Sequence, residues 1–335
     1  HFGYFMQYGL RAKERRPAGF EAPEIGTFLH YLLENTAREV AGSGGWAAVK
    51  TPQLHAMVRK YIDLYIRDEI PGYEEKSARF RYLFGRLRTT AEDIVDRMAE
   101  ELAESDFKPV AFELGFGGRD GTLPAITIQE GDATLSVSGK VDRVDGWLHD
   151  GKLYLRVVDY KTGRKSFDLS DVRYGLGIQM LLYLFTLEKE GQSCFGYPIV
   201  PAGVLYHPAR DLILKADRDI TPEALRRAMD RELRRDGMVL GDPEVLRAME
   251  HSALEAPCFL PIQVSKDGGI SGGVATAAQL GRLGQYVEKL LHQITRELRQ
   301  GNIDADPCWR GPQESACTYC DFASACHFQD GQADD

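Results

Sequence analysis

The chain has 335 residues, 43% hydrophobic and 27% charged, and a formal net charge of −9, an ordinary composition for a soluble globular protein of one large or two small domains. No apolar run nears the roughly 20 residues that cross a bilayer, and the opening HFGYFMQYGLRAKERR lacks the apolar core of a signal peptide. The acidic total argues against general nucleic-acid affinity and leaves that question to local basic runs.

Starting on His1 rather than Met, with core-type aromatics at once, the chain reads as a piece of a longer polypeptide. Arg11, Lys13, Arg15 and Arg16 form a first basic run. Helical periodicity covers 26–40, where Phe28, Leu32 and Leu33 share a face, then 51–68 and 77–105. The third helix carries a second basic run, Arg79, Arg81, Arg86 and Arg88, which reads equally well as a solvated face. Strand character begins near Val110 in KPVAFELGFGG and continues over 123–129 and 134–148. After the turn HDGK, a strong hairpin signal, a strand covers 152–160. A helix over 171–189 and a strand over 202–208 complete a mixed α/β core spanning 1–210. The segment 211–273 reads as an irregular insertion with helical pieces at 221–235 and 243–250 and an exposed loop, SKDGGISGG. A long helix over 274–300 leads to a cysteine-rich tail, the two together (274–335) packing with the core as one domain.

The stretch RVVDYKTGR sets Asp159 and Lys161 two residues apart after an apolar run. Side chains at i and i+2 on a strand share a face, so the carboxylate and the amine project together and Tyr160 points the other way. Asp142, in GKVDRVDG, lies across the hairpin turn and reaches the same end of the strand pair if the register allows. Two carboxylates and a lysine at a strand end make a hard-oxygen site suited to Mg²⁺ or Mn²⁺. Phosphodiester hydrolysis needs such a site, because general acid–base help alone contributes about 10²–10⁴-fold. The plain alternative is two ordinary ion pairs, Asp142–Arg143 and Asp159–Lys161, on a half-exposed hairpin. Gln179 and Tyr183, four apart, share a helix face, Glu113 sits in a strand between Phe112 and Leu114, and His30 sits on the first long helix.

GTFLH, AFELGF, GKVDRVD, VVDYKTG and QMLLY follow one another in the chain. This ordered set resembles the RecB-type nuclease module of the PD-(D/E)XK superfamily. The resemblance implies a restriction-endonuclease-like mixed central sheet flanked by helices. It also implies that His30, Asp142 and Asp159 ligate a divalent metal, with the main-chain carbonyl of Tyr160 adding an oxygen. Glu113 matches an acidic position near the site and Lys161 the catalytic lysine. Gln179 and Tyr183 match the motif that lines the DNA cleft.

Of the six cysteines, Cys317, Cys320 and Cys326 read C-x2-C-x5-C. Clustered thiolates without an export signal suggest metal rather than disulfides. With Cys308 they make a complete zinc set, and an iron–sulfur cluster takes four cysteines too. Cys194 and Cys258 read as ordinary thiols. Nucleases of the AddB family, similar over almost the whole chain, carry a [4Fe–4S] cluster on three such C-terminal cysteines and one upstream. That fourth position falls before His1, which leaves the cluster incomplete here or Cys308 as its replacement. The resemblance further implies single-stranded DNA as substrate, an AddA partner, a role in double-strand break resection and recombinational repair, and a bacterial cytoplasmic setting. GWLHDGKL nearly matches a nucleotide-binding loop, but Leu153 stands at the Ser/Thr position and the segment spans a hairpin, so no ATP binding is expected. A Cas4-like nuclease, a noncatalytic DNA-binding or subunit-docking module, and a zinc-stabilised interaction domain are the competing readings.

Overall fold

A computed structural model describes residues 1–12, 22–118, 121–212, 214, 219–309, 315–326 and 328; Lys13, Arg15 and Arg16 of the first basic run lie outside them. A short α1 (Phe2–Tyr4) continues into a π-helical turn, Phe5–Gly9. The three periodic segments fold as α2 (Ala22–Gly42), α3 (Thr51–Glu69) and α4 (Ala78–Ala103). Ser77 starts α4 by accepting a hydrogen bond from the Phe80 amide. Phe28, Leu32 and Leu33 of α2 are completely buried with Val58, Phe84 and Met98. The apolar stripes of α2–α4 thus close on one another and on one face of the sheet.

That sheet begins with β1 (Lys108–Phe116); β2 (Ile126–Glu130) and β3 (Ala133–Val137) form a separate ribbon. β4 (Gly139–His149) and β5 (Lys152–Lys161) form the expected hairpin. Asp150 and Gly151 both take positive φ at its tip, as a two-residue turn matched to strand twist demands. α5 (Leu169–Arg173) and α6 (Gln179–Phe195) replace the single helix expected over 171–189, because Gly175 and Gly177 adopt left-handed backbone between them. β6 (Ile199–Pro208) then runs parallel to β5.

The segment 211–273 departs from the insertion expected there. It holds α7 (Pro222–Glu232), β7 (Asp236–Leu240), α8 (Pro243–Met249), β8 (Ile262–Val264) and β9 (Ile270–Gly272). β7 joins the central sheet, since the run GMVL is short but wholly buried. SKDGGISGG is largely the turn and second strand of the β8–β9 hairpin. The long helix gives up its first residues to β10 (Val274–Ala275), and Thr276 caps α9 (Ala277–Arg299). A last turn, α10 (Ala323–Cys326), lies in the tail. The six-stranded sheet has the order β1-β4-β5-β6-β7-β10 and is mixed, with β5/β6 and β7/β10 parallel. Its second face packs against α5, α6, α8 and α9. No helix among the described residues is long and apolar enough to cross a membrane.

Candidate active site

The β4–β5 register pairs Arg143 with Val158, so Asp142 and Asp159 stand on adjacent strands one step further along. Both carboxylates therefore reach the same end of the hairpin. Asp142 accepts the Tyr160 amide through Oδ2 at 2.9 Å. Its Oδ1 lies 3.3 Å from His30 Nδ1, and Glu113 Oε1 lies 3.6 Å from the same nitrogen. Glu113 is the unusual member. It is a strand residue with φ 49°, a left-handed backbone that a non-glycine residue holds only when its surroundings impose it. Lys140 Nζ meets its other oxygen at 3.1 Å.

His30, Glu113 and Asp142 each offer a ligand atom within 4.8 Å of the others. An imidazole and two carboxylates at that spacing fit a divalent cation. Asp159 stands outside this trio and faces Lys161, with Oδ2 2.6 Å from Nζ in an ion pair that departs from hydrogen-bond geometry. Tyr160 points the opposite way, as strand alternation requires, and is buried. Its amide is committed to Asp142, which leaves its carbonyl as the group it could offer a metal. Gln179 donates to Tyr183 Oη at 2.9 Å. Tyr183 stacks on Phe116 and lies so close over Gly139 that a Cβ there would come 2.5 Å from its hydroxyl.

The charges respond to this crowding. Burial disfavours a proton on His30, but the Asp142 and Glu113 carboxylates outweigh it and raise the imidazole to about 10. Glu113 is lowered against its burial by His30 and Lys140. Asp159 is raised by burial and by Asp142, with Lys161 opposing. A cation coordinated at these atoms would take the place of the His30 proton, because metal ligands bind deprotonated.

The Asp142–Arg143 pair of the plain alternative does not form, although its Asp159–Lys161 pair does. Arg143 projects to the other face of the sheet, wholly buried, donating to Tyr160 Oη at 3.0 Å and to Asp145. Asp145, Arg156, Glu101 and Arg235 continue this buried network beneath the site. Arg143 and Asp145 repeat the i, i+2 spacing of Asp159 and Lys161, a signal open to the same strand argument.

From the second basic run, Arg79 and Arg86 line a groove of about 580 Å³ with Phe80, Leu83 and Leu87, reaching Thr162 and Gly163 beside Lys161. Arg86 is paired with Asp211 and Arg81 with Glu74. Cys317, Cys320 and Cys326 line one cavity of about 240 Å³ together with His1, Phe2 and Gly3. Cys308 touches that tail through its carbonyl, which accepts from the Ala316 amide.

Comparison with known proteins identifies the family of the chain. The family model of the PD-(D/E)XK nuclease superfamily matches residues 1–327. Over 331 residues the chain is 34% identical to a protein of Acetivibrio thermocellus named as a subunit of an ATP-dependent helicase/deoxyribonuclease, covering 98% of this chain and 29% of that protein. The protein of the same name from Caldanaerobacter subterraneus is 34% identical over 335 residues, with 98% and 28% covered. That from Clostridium tetani is 30% identical over 331 residues, with 98% and 29% covered. The chain thus spans under a third of the length of these relatives.

Proposed function

The chain belongs to the PD-(D/E)XK nuclease superfamily, and on that footing we propose that it is a Mg²⁺- or Mn²⁺-dependent deoxyribonuclease acting on single-stranded DNA. The observation that carries this is the convergence of His30, Glu113 and Asp142 beside the Asp159–Lys161 pair at one end of β4 and β5. A bound divalent metal supplies charge neutralisation on the phosphate and a more acidic water. His30, Glu113 and Asp142 hold it, with Asp159 and the Tyr160 carbonyl completing the set. Hydrolysis joins a water oxygen to phosphorus and breaks one P–O ester bond, the water's proton ending on the departing oxygen. Lys161, about one-third exposed, holds its ammonium 2.6 Å from Asp159 Oδ2, where it would face the phosphate oxygens of a bound strand. Such a charge stabilises negative charge as it develops. Gln179, exposed and held by Tyr183, meets the strand at the cleft wall.

The test is cleavage of end-labelled single-stranded DNA with Mg²⁺ or Mn²⁺, expected to stop when the metal is chelated. A protein that binds the DNA but cuts with neither metal would be the noncatalytic DNA-binding or docking module instead.

The relatives' name supports a wider reading, in which this unit works within a bacterial cytoplasmic helicase–nuclease, with an AddA-type partner, in resection of DNA breaks. The tail fits an iron–sulfur role within it. Cys317, Cys320 and Cys326 surround a cavity rather than a point. Because His1 lines the same cavity, a chain extended upstream of His1 brings its added residues toward the three thiols. Purification of such a longer chain is expected to yield iron with acid-labile sulfide. Stoichiometric zinc without iron would mean a zinc-stabilised tail.

A further inference from the structure

On the side of Lys161 away from α2, a second concavity of about 320 Å³ opens between the ends of β5 and β6 and the last turn of α7. Lys161, Arg164, Lys165, Arg210, Arg231 and Arg234 line it. Two carboxylates, Glu232 and Asp236, accompany these six cations. In a chain of net charge −9 such a concentration runs against the overall balance, and like charges gathered in a concave wall repel one another unless an anion sits among them. The size lies at the lower end of pockets that take small ligands.

Glu232 shows where an anion rests. Its carboxylate lies 3.3 Å from Arg164 and 3.7 Å from Arg210, between two guanidiniums from different elements. It is 41% exposed, so an incoming anion can compete for both partners. Arg234 donates to two main-chain carbonyls while its Nε is buried with no hydrogen-bond partner. Lys165 and Arg231 are exposed at the rim. The pocket is continuous with the site through Lys161 and shares Gly163 and Arg210 with the apolar groove on the α2–α4 side. One wall rich in apolar side chains and one rich in cations, meeting at the Lys161–Gly163 turn, match the two chemistries of a nucleic-acid strand: bases that stack and phosphates that need positive charge.

We infer that this basic pocket holds a phosphate of the DNA strand on one side of the bond to be cut, and so fixes the strand's register over Asp142 and Asp159. This rests on the nuclease reading above for its substrate. Glu232 occupies the phosphate position when no strand is present and gives way when one arrives.

The test uses the protein with fluorescent single-stranded oligonucleotides, read by anisotropy over a range of salt without divalent metal. Neutralising the rim with Lys165→Gln and Arg231→Gln removes two exposed cations that are not among the proposed metal ligands. Affinity at low salt is expected to fall roughly tenfold, and the log–log salt slope to shrink by about 0.7 per lost contact. Glu232→Gln frees Arg164 and Arg210 and is expected to move the other way, tightening binding severalfold, which a merely damaged fold does not do. A control pair on α9, Arg282→Gln with Lys289→Gln, removes the same charge from another exposed surface. Oligonucleotides with 5′-phosphate, 3′-phosphate or no terminal phosphate separate a pocket for a strand end from one for an internal phosphodiester, because only the former discriminates among them. The inference is overturned if the rim variant matches the control pair in affinity and slope, or if Glu232→Gln does not tighten binding. Cleavage assays run alongside keep the two readings apart. Wild-type protein that cuts while the rim variant binds normally sinks the pocket alone, and protein that binds through the pocket without cutting sinks the nuclease.

Discussion

Asp159→Asn is expected to lower DNA cleavage at least about 10³-fold, since removing even one preorganised charge-stabilising group from a transition state costs on the order of 10²–10³. The substitution keeps the shape of the side chain and deletes the charge. DNA affinity should stay within a few-fold, because phosphate contacts by cations dominate binding and Asp159 is an anion. Stability should not fall. Burial and Asp142 raise the Asp159 carboxyl, so without a metal its charge opposes folding, and an amide relieves that opposition. A melting temperature equal to or above wild type, with activity lost, is the signature of a residue kept for chemistry against the interest of the fold. Asp142→Asn is expected to be equally inactive, and the double variant little worse than either single one, because groups acting on one metal fail as a unit. Cleavage by either variant within about tenfold of wild type would remove these carboxylates from the site.

The parts of this molecule that could be read in advance are those fixed by short-range periodicity. The Asp-Gly turn, the i, i+2 placement of Asp159 and Lys161 and the opposite aim of Tyr160 follow from backbone alternation, and the observed geometry agrees with each. Register was the first unknown, and the Arg143–Val158 pairing resolves it. Other features depend on tertiary context. GMVL is too short to announce a strand in a polar segment, and becomes β7 because β6 and β10 lie on either side of it. Glu113 turns toward His30 through a left-handed backbone that its flanking residues do not encode. The same holds for Arg143, whose sequence neighbour Asp142 suggested an ion pair while alternation sends the two side chains to opposite faces. Glu101 is harder still. Helical periodicity places a glutamate on a wet face by default, and only the sheet packed beneath α4 makes it a core residue.

Glu101→Gln is accordingly expected to destabilise the protein by roughly 3–5 kcal/mol, the usual cost of breaking a buried ion pair by removing one partner. Glu101 is 2% exposed and receives Arg235 at 2.6 Å and Arg156 at 3.1 Å, with Arg143 at 3.9 Å. Asp145 is the second carboxylate, bonded to Arg143 and Arg156. Three buried guanidiniums thus face two carboxylates. His207, 3.8 Å from Glu101, is kept neutral because burial and the Arg235 charge push its imidazole well down. Deleting one carboxylate leaves an excess of two buried positive charges, against a total stability of about 5–15 kcal/mol for a folded domain. The pH dependence has a definite sign. The surrounding arginines outweigh burial and hold Glu101 well below its ordinary 4.5. A depressed carboxylate contributes stability above its unfolded value and loses it as pH falls through the folded one. Acid unfolding of the wild type below pH ~4.5 should therefore have a component that Glu101→Gln lacks. Denaturant melts at neutral and acid pH measure both effects, and a loss under about 1 kcal/mol would mean that the arginines are compensated without this carboxylate. The network also reaches the chemistry. Arg143 holds the Tyr160 hydroxyl, and the Tyr160 amide holds Asp142. The charges that link α4 to the sheet therefore also set the orientation of Asp142, the proposed metal ligand, on its opposite face, so Glu101→Gln protein that remains folded at low temperature should bind divalent metal more weakly than wild type.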